Sequence, residues 1–136
     1  MGKPVTSNVK RVKTTALNTK VNKEAFKRFK DKLSYLGYPM NVVLETFMSQ
    51  YANNRYSIND DDVLKWKNDG EEVDTLNTTF NKEIYTDFKY TCKRNGFFVK
   101  HVVTAFMEDF ANESVILEYV DVEKVNNEAN TEEKEN

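Results

Sequence analysis

Apolar residues follow two different spacings in this chain, and the two spacings alternate along it. Leu17, Thr19 and Val21 lie on one side of an extended segment, with polar neighbours on the other side. This spacing of two is typical of a strand with one buried face. Directly afterwards, Phe26 and Phe29 begin a series with spacings of three and four, which predicts an amphipathic helix.

The same pattern occurs twice, because the phrase LNTKVNKE at 17–24 returns as LNTTFNKE at 76–83. With an offset of 59 residues, 17–55 and 76–114 align without a gap and are identical at 14 of 39 positions. Many of the other positions keep their apolar character, as Val21 does opposite Phe80. The chain is therefore a tandem duplication of a unit of about 40 residues.

Each unit has signals for where its helices begin and end. Asn22 and Asn81 are good N-caps for a first helix, and Gly37 and Gly96 suit the left-handed residue that ends it. A second helix begins near Pro39, where proline's fixed φ costs little. Its apolar stripe is Met40, Val43, Leu44, Phe47, Met48 and Tyr51, and the counterparts are Val99, Val102, Val103, Phe106, Met107 and Phe110.

A single unit of this kind cannot stand alone, since its strand has unpaired edges and its helices have more apolar surface than they can bury. We therefore expect a mainly α fold with a two-stranded antiparallel β-ribbon, in which strand 17–21 pairs with strand 76–80 of the same molecule. The predicted organisation is a basic N-terminal arm (1–14), a first repeat (15–55), an acidic linker with a short helix (56–74), a second repeat (75–114) and a C-terminal extension with an acidic tail (115–136).

Charge is separated along the chain although the net charge is only −2. Residues 1–38 have ten Lys or Arg against two acids, whereas 56–75 and 115–136 each have seven acids against two lysines. Such separation indicates that one surface meets an anion. A set of ordinary solvated faces is the alternative.

On these features, residues 15–55 and 74–114 resemble the ribbon-helix-helix DNA-binding proteins, of which the Arc and MetJ repressors are members. The resemblance rests on the alternating strand, the capped helix that follows at once, the glycine turn and the helix lengths. It implies two ribbon-helix-helix repeats that form an intramolecular pseudo-dimer. It also implies sequence-specific binding of double-stranded DNA by a transcriptional repressor, with the ribbon in the major groove.

The resemblance assigns contacts by position. The base-contacting residues would be Ala16, Asn18, Lys20, Thr75, Asn77 and Thr79. The phosphate contacts would be backbone amides near Met40, Asn41, Val99 and Lys100, together with Lys10, Arg11 and Lys13 of the arm. Asn matches the edge of adenine, Lys that of guanine, and Thr has a methyl group that can touch thymine. The alternative is that these residue types simply suit an exposed strand face.

Other residues have structural interpretations. Cys92 aligns with Leu33 and is predicted to be a core thiol, and His101 is predicted to be an ordinary helix residue. NDDD at 59–62 lacks the spacing of a calcium loop and predicts the cap of a short linker helix. No catalytic, metal or cofactor motif occurs, so we expect neither an enzyme nor a cofactor. The lone cysteine and the lack of a long apolar run lead us to expect a cytoplasmic protein without membrane contact.

Two other functions fit the same features. One is an accessory DNA-binding protein of a relaxosome or partition system on a plasmid or other mobile element, with a protein partner bound through the C-terminal tail. The other is an antitoxin-like or other helical protein-interaction module. In the repressor interpretation, the protein is a monomer in isolation, several molecules bind adjacent DNA sites, and each reads a site whose two halves differ.

Overall fold

The described part of the chain, residues 13–68 and 72–112 of this computed structural model, consists of helices packed on one small sheet. In chain order the elements are β1 (Thr14–Asn22), α1 (Lys23–Leu36), α2 (Met40–Ala52), α3 (Asp60–Leu64), a 3₁₀ turn (Lys65–Asn68), β2 (Val73–Asn81), α4 (Lys82–Arg94) and α5 (Val99–Ala111). The predicted class, mainly helical with a two-stranded antiparallel sheet, is confirmed.

The two strands pair about a centre of approximate two-fold symmetry. Asn18 lies opposite Asn77, and these residues occupy the same position in the two repeats. Backbone hydrogen bonds continue the pairing at both ends, from Lys23 N to Glu72 O at 2.9 Å and from Lys82 N to Lys13 O at 2.9 Å. Each strand is longer than predicted, because pairing about this centre gives partners to residues that show no apolar alternation.

The predicted caps and turns of the first helices are present in both repeats. Asn22 Oδ1 accepts a hydrogen bond from Ala25 N at 2.8 Å, and Asn81 Oδ1 accepts one from Ile84 N at 3.0 Å. Gly37, with φ 76°, and Gly96, with φ 83°, adopt the left-handed conformation after α1 and α4. A side chain at either glycine would be strained by that φ value.

The helices of the two repeats cross over. α1 of the first repeat packs against α5 of the second, and α2 packs against α4. The rings of Phe47 and Phe106, equivalent residues of α2 and α5, stack with centroids 4.1 Å apart and planes at 8°. Phe29 meets the edge of Phe106 at 5.8 Å, and Phe88 meets Phe47 at 5.5 Å. The repeats therefore share one core.

The linker between the repeats belongs to this core. Tyr56 is buried with its ring 4.9 Å from Phe47 and 5.6 Å from Phe106. Asn59 caps α3 by accepting from Asp61 N at 2.9 Å. The turn after α3 is held to α5 by Lys65 Nζ, which lies 2.5 Å from Glu108 Oε1. The linker therefore covers α5, so the two repeats differ in their surroundings.

Candidate nucleic-acid interface

The ribbon has one core face and one solvent face. Its buried apolar side chains are Leu17, Val21, Leu76 and Phe80, and each is at most 6% exposed. The six predicted base contacts lie on the opposite face in three cross-strand pairs, Ala16 with Thr79, Asn18 with Asn77, and Lys20 with Thr75. Five of them are exposed and Thr75 is half-buried. Strand alternation explains this separation, since successive side chains point to opposite faces.

The pair at one end of this face is joined by a hydrogen bond. Lys20 Nζ donates to Thr75 Oγ1 at 2.7 Å, and Thr75 N donates to Asp74 Oδ1 at 2.8 Å. In the sequence alignment Lys20 corresponds to Thr79, but in the ribbon Thr79 lies opposite Ala16. The sequence repeat therefore indicates which residues are equivalent, and the antiparallel register decides which ones are neighbours.

The charges at the two ends of the ribbon also differ. At the Lys20 end are Glu72 and Asp74, and Lys23 Nζ lies 3.6 Å from Glu72 Oε2. At the other end are Lys13 and Lys82, both exposed, and the half-buried Glu45 of α2. Lys23 and Lys82 were not among the predicted phosphate contacts. They are the identical lysines that directly follow the N-cap in the two repeats.

The N-termini of α2 and α5 are not capped by side chains. Pro39 and Phe98 stand at their N-cap positions and make no side-chain hydrogen bond to the first turn. First-turn amides without a side-chain acceptor and the helix dipole favour an anion. In α5, His101 N already donates to the backbone oxygen of Phe98 at 3.1 Å. Of the four predicted phosphate anchors at these ends, Asn41 and Lys100 are exposed, whereas Met40 and Val99 are half-buried against the core.

The second helices lie against the ribbon. α2 contacts β2, where Glu45 Oε2 accepts a hydrogen bond from Asn81 N at 2.8 Å. α5 contacts β1. The predicted arm residues Lys10 and Arg11 lie outside the described residues, and Lys13 directly precedes β1. The fold thus gathers on the ribbon all six predicted base contacts and one of the predicted basic residues.

No protein-family model, curated protein or solved structure matches this chain. Among the described residues, none of the helices is both long and apolar enough to cross a membrane. Within 13–68 and 72–112, no group of three His, Cys, Asp or Glu side chains is placed to bind a metal ion.

Cys92 and His101 lie apart from the ribbon face. The thiol of Cys92 is fully buried, and burial raises its pKa to about 12, as befits a core residue. His101 is half-buried in the first turn of α5, with its ring centroid 5.6 Å from that of Phe98. Its pKa is lowered from 6.5, first by burial and then by the charges of Lys100 and Lys67.

The lowered pKa of His101 predicts a pH-dependent stability. Below about pH 6.5 the unfolded chain binds a proton at this position more readily than the folded chain. The folded state therefore loses stability as the pH falls from about 6.5 to the lowered pKa of His101. His101→Val introduces the residue that the first repeat has at the same position, Val42, and should remove that loss. Denaturant unfolding at about pH 5 and about pH 8 measures it. A stability difference between the two proteins that does not change with pH would contradict this assignment.

Proposed function

We propose that this protein binds double-stranded DNA sequence-specifically and acts as a transcriptional repressor. In this proposal its two repeats form an intramolecular ribbon-helix-helix pseudo-dimer, and the solvent face of the ribbon enters the major groove. The observation that carries the proposal is the separation of side chains on one two-stranded ribbon. Every large apolar side chain from Leu17 to Val21 and from Leu76 to Phe80 faces the core, while Asn, Lys, Thr and Ala occupy the other face.

The size and chemistry of this face suit the major groove. A two-stranded ribbon fits a groove about 12 Å wide, and amide, ammonium and hydroxyl groups match the edges of the bases there. A protein that occupies the groove in this way excludes other proteins from the same DNA. Repression is therefore the simplest regulatory consequence of binding.

The phosphate backbone would be met by the helix N-termini and the lysines. Neither Pro39 nor Phe98 offers a side-chain acceptor to the first-turn amides of α2 and α5. Lys100 adds a positive charge beside the first-turn amides of α5. The two helices pack on opposite strands of the ribbon. This arrangement supports two phosphate contacts, one on each side of the bases that the ribbon would read.

The pseudo-dimer is supported by how the repeats interlock. Their strands pair about equivalent asparagines, and each first helix packs on the second helix of the other repeat. We expect the protein to have the mass of one chain in dilute solution, which light scattering after gel filtration measures. A tightly associated dimer that selects a strictly palindromic site would instead mean that strands pair between chains.

Selection of bound duplexes from a random pool tests DNA binding directly. The expected result is an enriched short site, whose affinity falls as salt concentration rises because binding releases counterions. A helical protein-interaction module would enrich no site. The proposal is wrong if no site is enriched and the protein binds the recovered duplexes no more tightly than it binds random DNA.

The salt dependence should come from the basic arm. Neutralising Lys10, Arg11 and Lys13 to Ala should weaken binding to all sequences alike. It should also flatten the slope of log K against log salt by about 0.9 for each phosphate that the arm no longer neutralises. Fluorescence anisotropy at several salt concentrations, with selected and scrambled duplexes, measures both effects.

A matched control for the arm variant lies on α4. Lys89, Lys93 and Arg94 are exposed, and lie about 10 to 18 Å along the helix axis from its start at the ribbon. Changing these three to Ala removes the same charge and should leave the slope nearly unchanged. An equal reduction of the slope in both triple variants, relative to the parent, would mean that net charge, and not the arm, sets the salt dependence.

A further inference from the structure

The two ends of the ribbon's solvent face have different chemistry, although the repeats are equivalent. From this difference, and resting on the DNA-binding function proposed above, we infer that the protein binds in one fixed orientation on a non-palindromic core, with Lys20 and Thr75 reading a guanine at one end and Ala16 and Thr79 placing methyl groups on thymine at the other. The asymmetry follows from the register, because the pairs at the two ends do not match.

The Lys20 end is prepared to donate hydrogen bonds. An ammonium has three donors, and the bond to Thr75 Oγ1 at 2.7 Å uses one of them. This bond holds the flexible lysine side chain on the ribbon and leaves two donors for the O6 and N7 acceptors of guanine. Thr75 is itself held by its neighbour, since its amide donates to Asp74 Oδ1.

The cross-strand pair at the other end of this face is uncharged. Ala16 lies opposite Thr79, and both are exposed. The methyl groups of alanine and threonine are suited to contact the C5-methyl of thymine and cannot make the two-point contact that guanine receives from lysine. A guanine at this end would meet at most the single hydroxyl of Thr79, so A·T pairs are favoured here.

The centre of the face has the same residue type on both strands, so it does not distinguish the two orientations. Asn18 and Asn77 lie opposite each other on the approximate two-fold axis. Each amide can donate to and accept from adenine, so adenines on both strands suit the centre. The five residues from Ala16 to Lys20 span about 14 Å, which corresponds to about four base-pair steps at a rise of about 3.4 Å.

The charged residues beside the ribbon also differ between its two ends. Glu72 and Asp74 lie at the guanine-reading end and offset the attraction of its lysines for phosphate. Lys13 and Lys82 lie at the other end, where the acidic residue nearest the strands is the half-buried Glu45 of α2, which accepts a hydrogen bond from Asn81 N. The orientation is therefore set by the base contacts, because phosphates carry no sequence information, and the lysines at the other end add affinity alone.

A transposed ribbon tests this inference. The variant Ala16→Thr, Lys20→Thr, Thr75→Ala and Thr79→Lys exchanges the two ends, and all four positions lie on the solvent face. It should select the same short site as the parent but sit on it in the reverse direction. The single variant Lys20→Thr should lose about 10-fold of the preference for guanine over other bases at one end only.

Orientation can be measured by directed cleavage from one end of the ribbon. Val73 is 56% exposed and lies at the Lys20 end, opposite Asn22. Val73→Cys in both proteins therefore provides a thiol at this end to which an iron chelate can be attached. The native Cys92 is buried with a raised pKa, so its thiol remains protonated and reacts poorly. In the parent, strand cleavage should fall on the flank next to the guanine. In the transposed variant it should fall on the opposite flank.

The outcomes separate this inference from the function on which it rests. If neither protein enriches a DNA site, both proposals fail. If DNA is bound with ribbon-dependent preference, but the selected site is palindromic or cleavage stays beside the guanine in the transposed variant, then DNA binding stands and the fixed orientation is wrong. If both proteins select the same site and the cleaved flank is reversed in the transposed variant, the fixed orientation is supported.

Discussion

Phe106→Ala is expected to lower the free energy of unfolding by about 3 to 5 kcal/mol, and Phe47→Ala by a similar amount. Both side chains are fully buried, and their rings stack at 4.1 Å in the middle of the core that the two repeats share. Removing either ring leaves a cavity lined by residues of both repeats. Denaturant unfolding followed by circular dichroism should show one cooperative transition that shifts as a whole.

Exposed aromatic residues provide the control for this loss. Tyr35 on α1 is 86% exposed and Tyr90 on α4 is 65% exposed, so Tyr35→Ala and Tyr90→Ala should change stability by no more than about 0.5 kcal/mol. The double variant of Phe47 and Phe106 should differ from the sum of the single ones, because the two rings are in contact. Two separate transitions, each sensitive to only one of these phenylalanines, would show that the repeats fold independently.

The second large effect is expected on DNA binding. Asn18→Ala, Asn77→Ala and Lys20→Ala should each cost about 1 to 3 kcal/mol on the selected site and relax the base preference at particular positions. Each of these side chains is exposed on the ribbon face, so replacing it by alanine does not change the packing of the core. Anisotropy titrations with the selected duplex and its single-base variants measure both the affinity and the preference.

A matched control for the ribbon variants is available on α4. Lys89 is exposed and lies about 10 Å along the helix axis from the ribbon, so Lys89→Ala should leave both affinity and base preference nearly unchanged. Thermal unfolding should show that all four variants remain folded. If the ribbon variants bind the selected site as tightly as the parent does, the assignment of base reading to this face is wrong.

Local signals in the sequence were sufficient for the elements. The alternation around Leu17 and Leu76 identified both strands, because a strand with one buried face needs that pattern whatever its partner is. Asn22, Asn81 and the two glycines marked the helix ends, since capping and a positive φ depend on residues within one turn. The side of the strand that faces solvent followed from the same alternation. The candidate base-reading face was therefore predictable residue by residue.

The ends of the strands and the neighbours across the ribbon were not predictable in this way. Thr14 and Val73 belong to the strands because the antiparallel register gives each a partner, and neither residue shows this in its own surroundings. The same register places Lys20 beside Thr75. A hydrogen bond between residues 55 positions apart depends on how two distant segments align, which alternation alone leaves open.

The sequence by itself determined the repeat, the strand-helix-helix order, the helix caps and the polar face of each strand, because these depend on contacts within a few residues. Only the tertiary structure decided which individual residues of the two repeats and the linker meet. It stacked Phe47 on Phe106, placed Tyr56 of the linker against both rings, and gave the two ribbon ends different charges. The physical reason is that packing and antiparallel register join residues far apart in the chain, so that two nearly equivalent repeats come to lie in unequal surroundings.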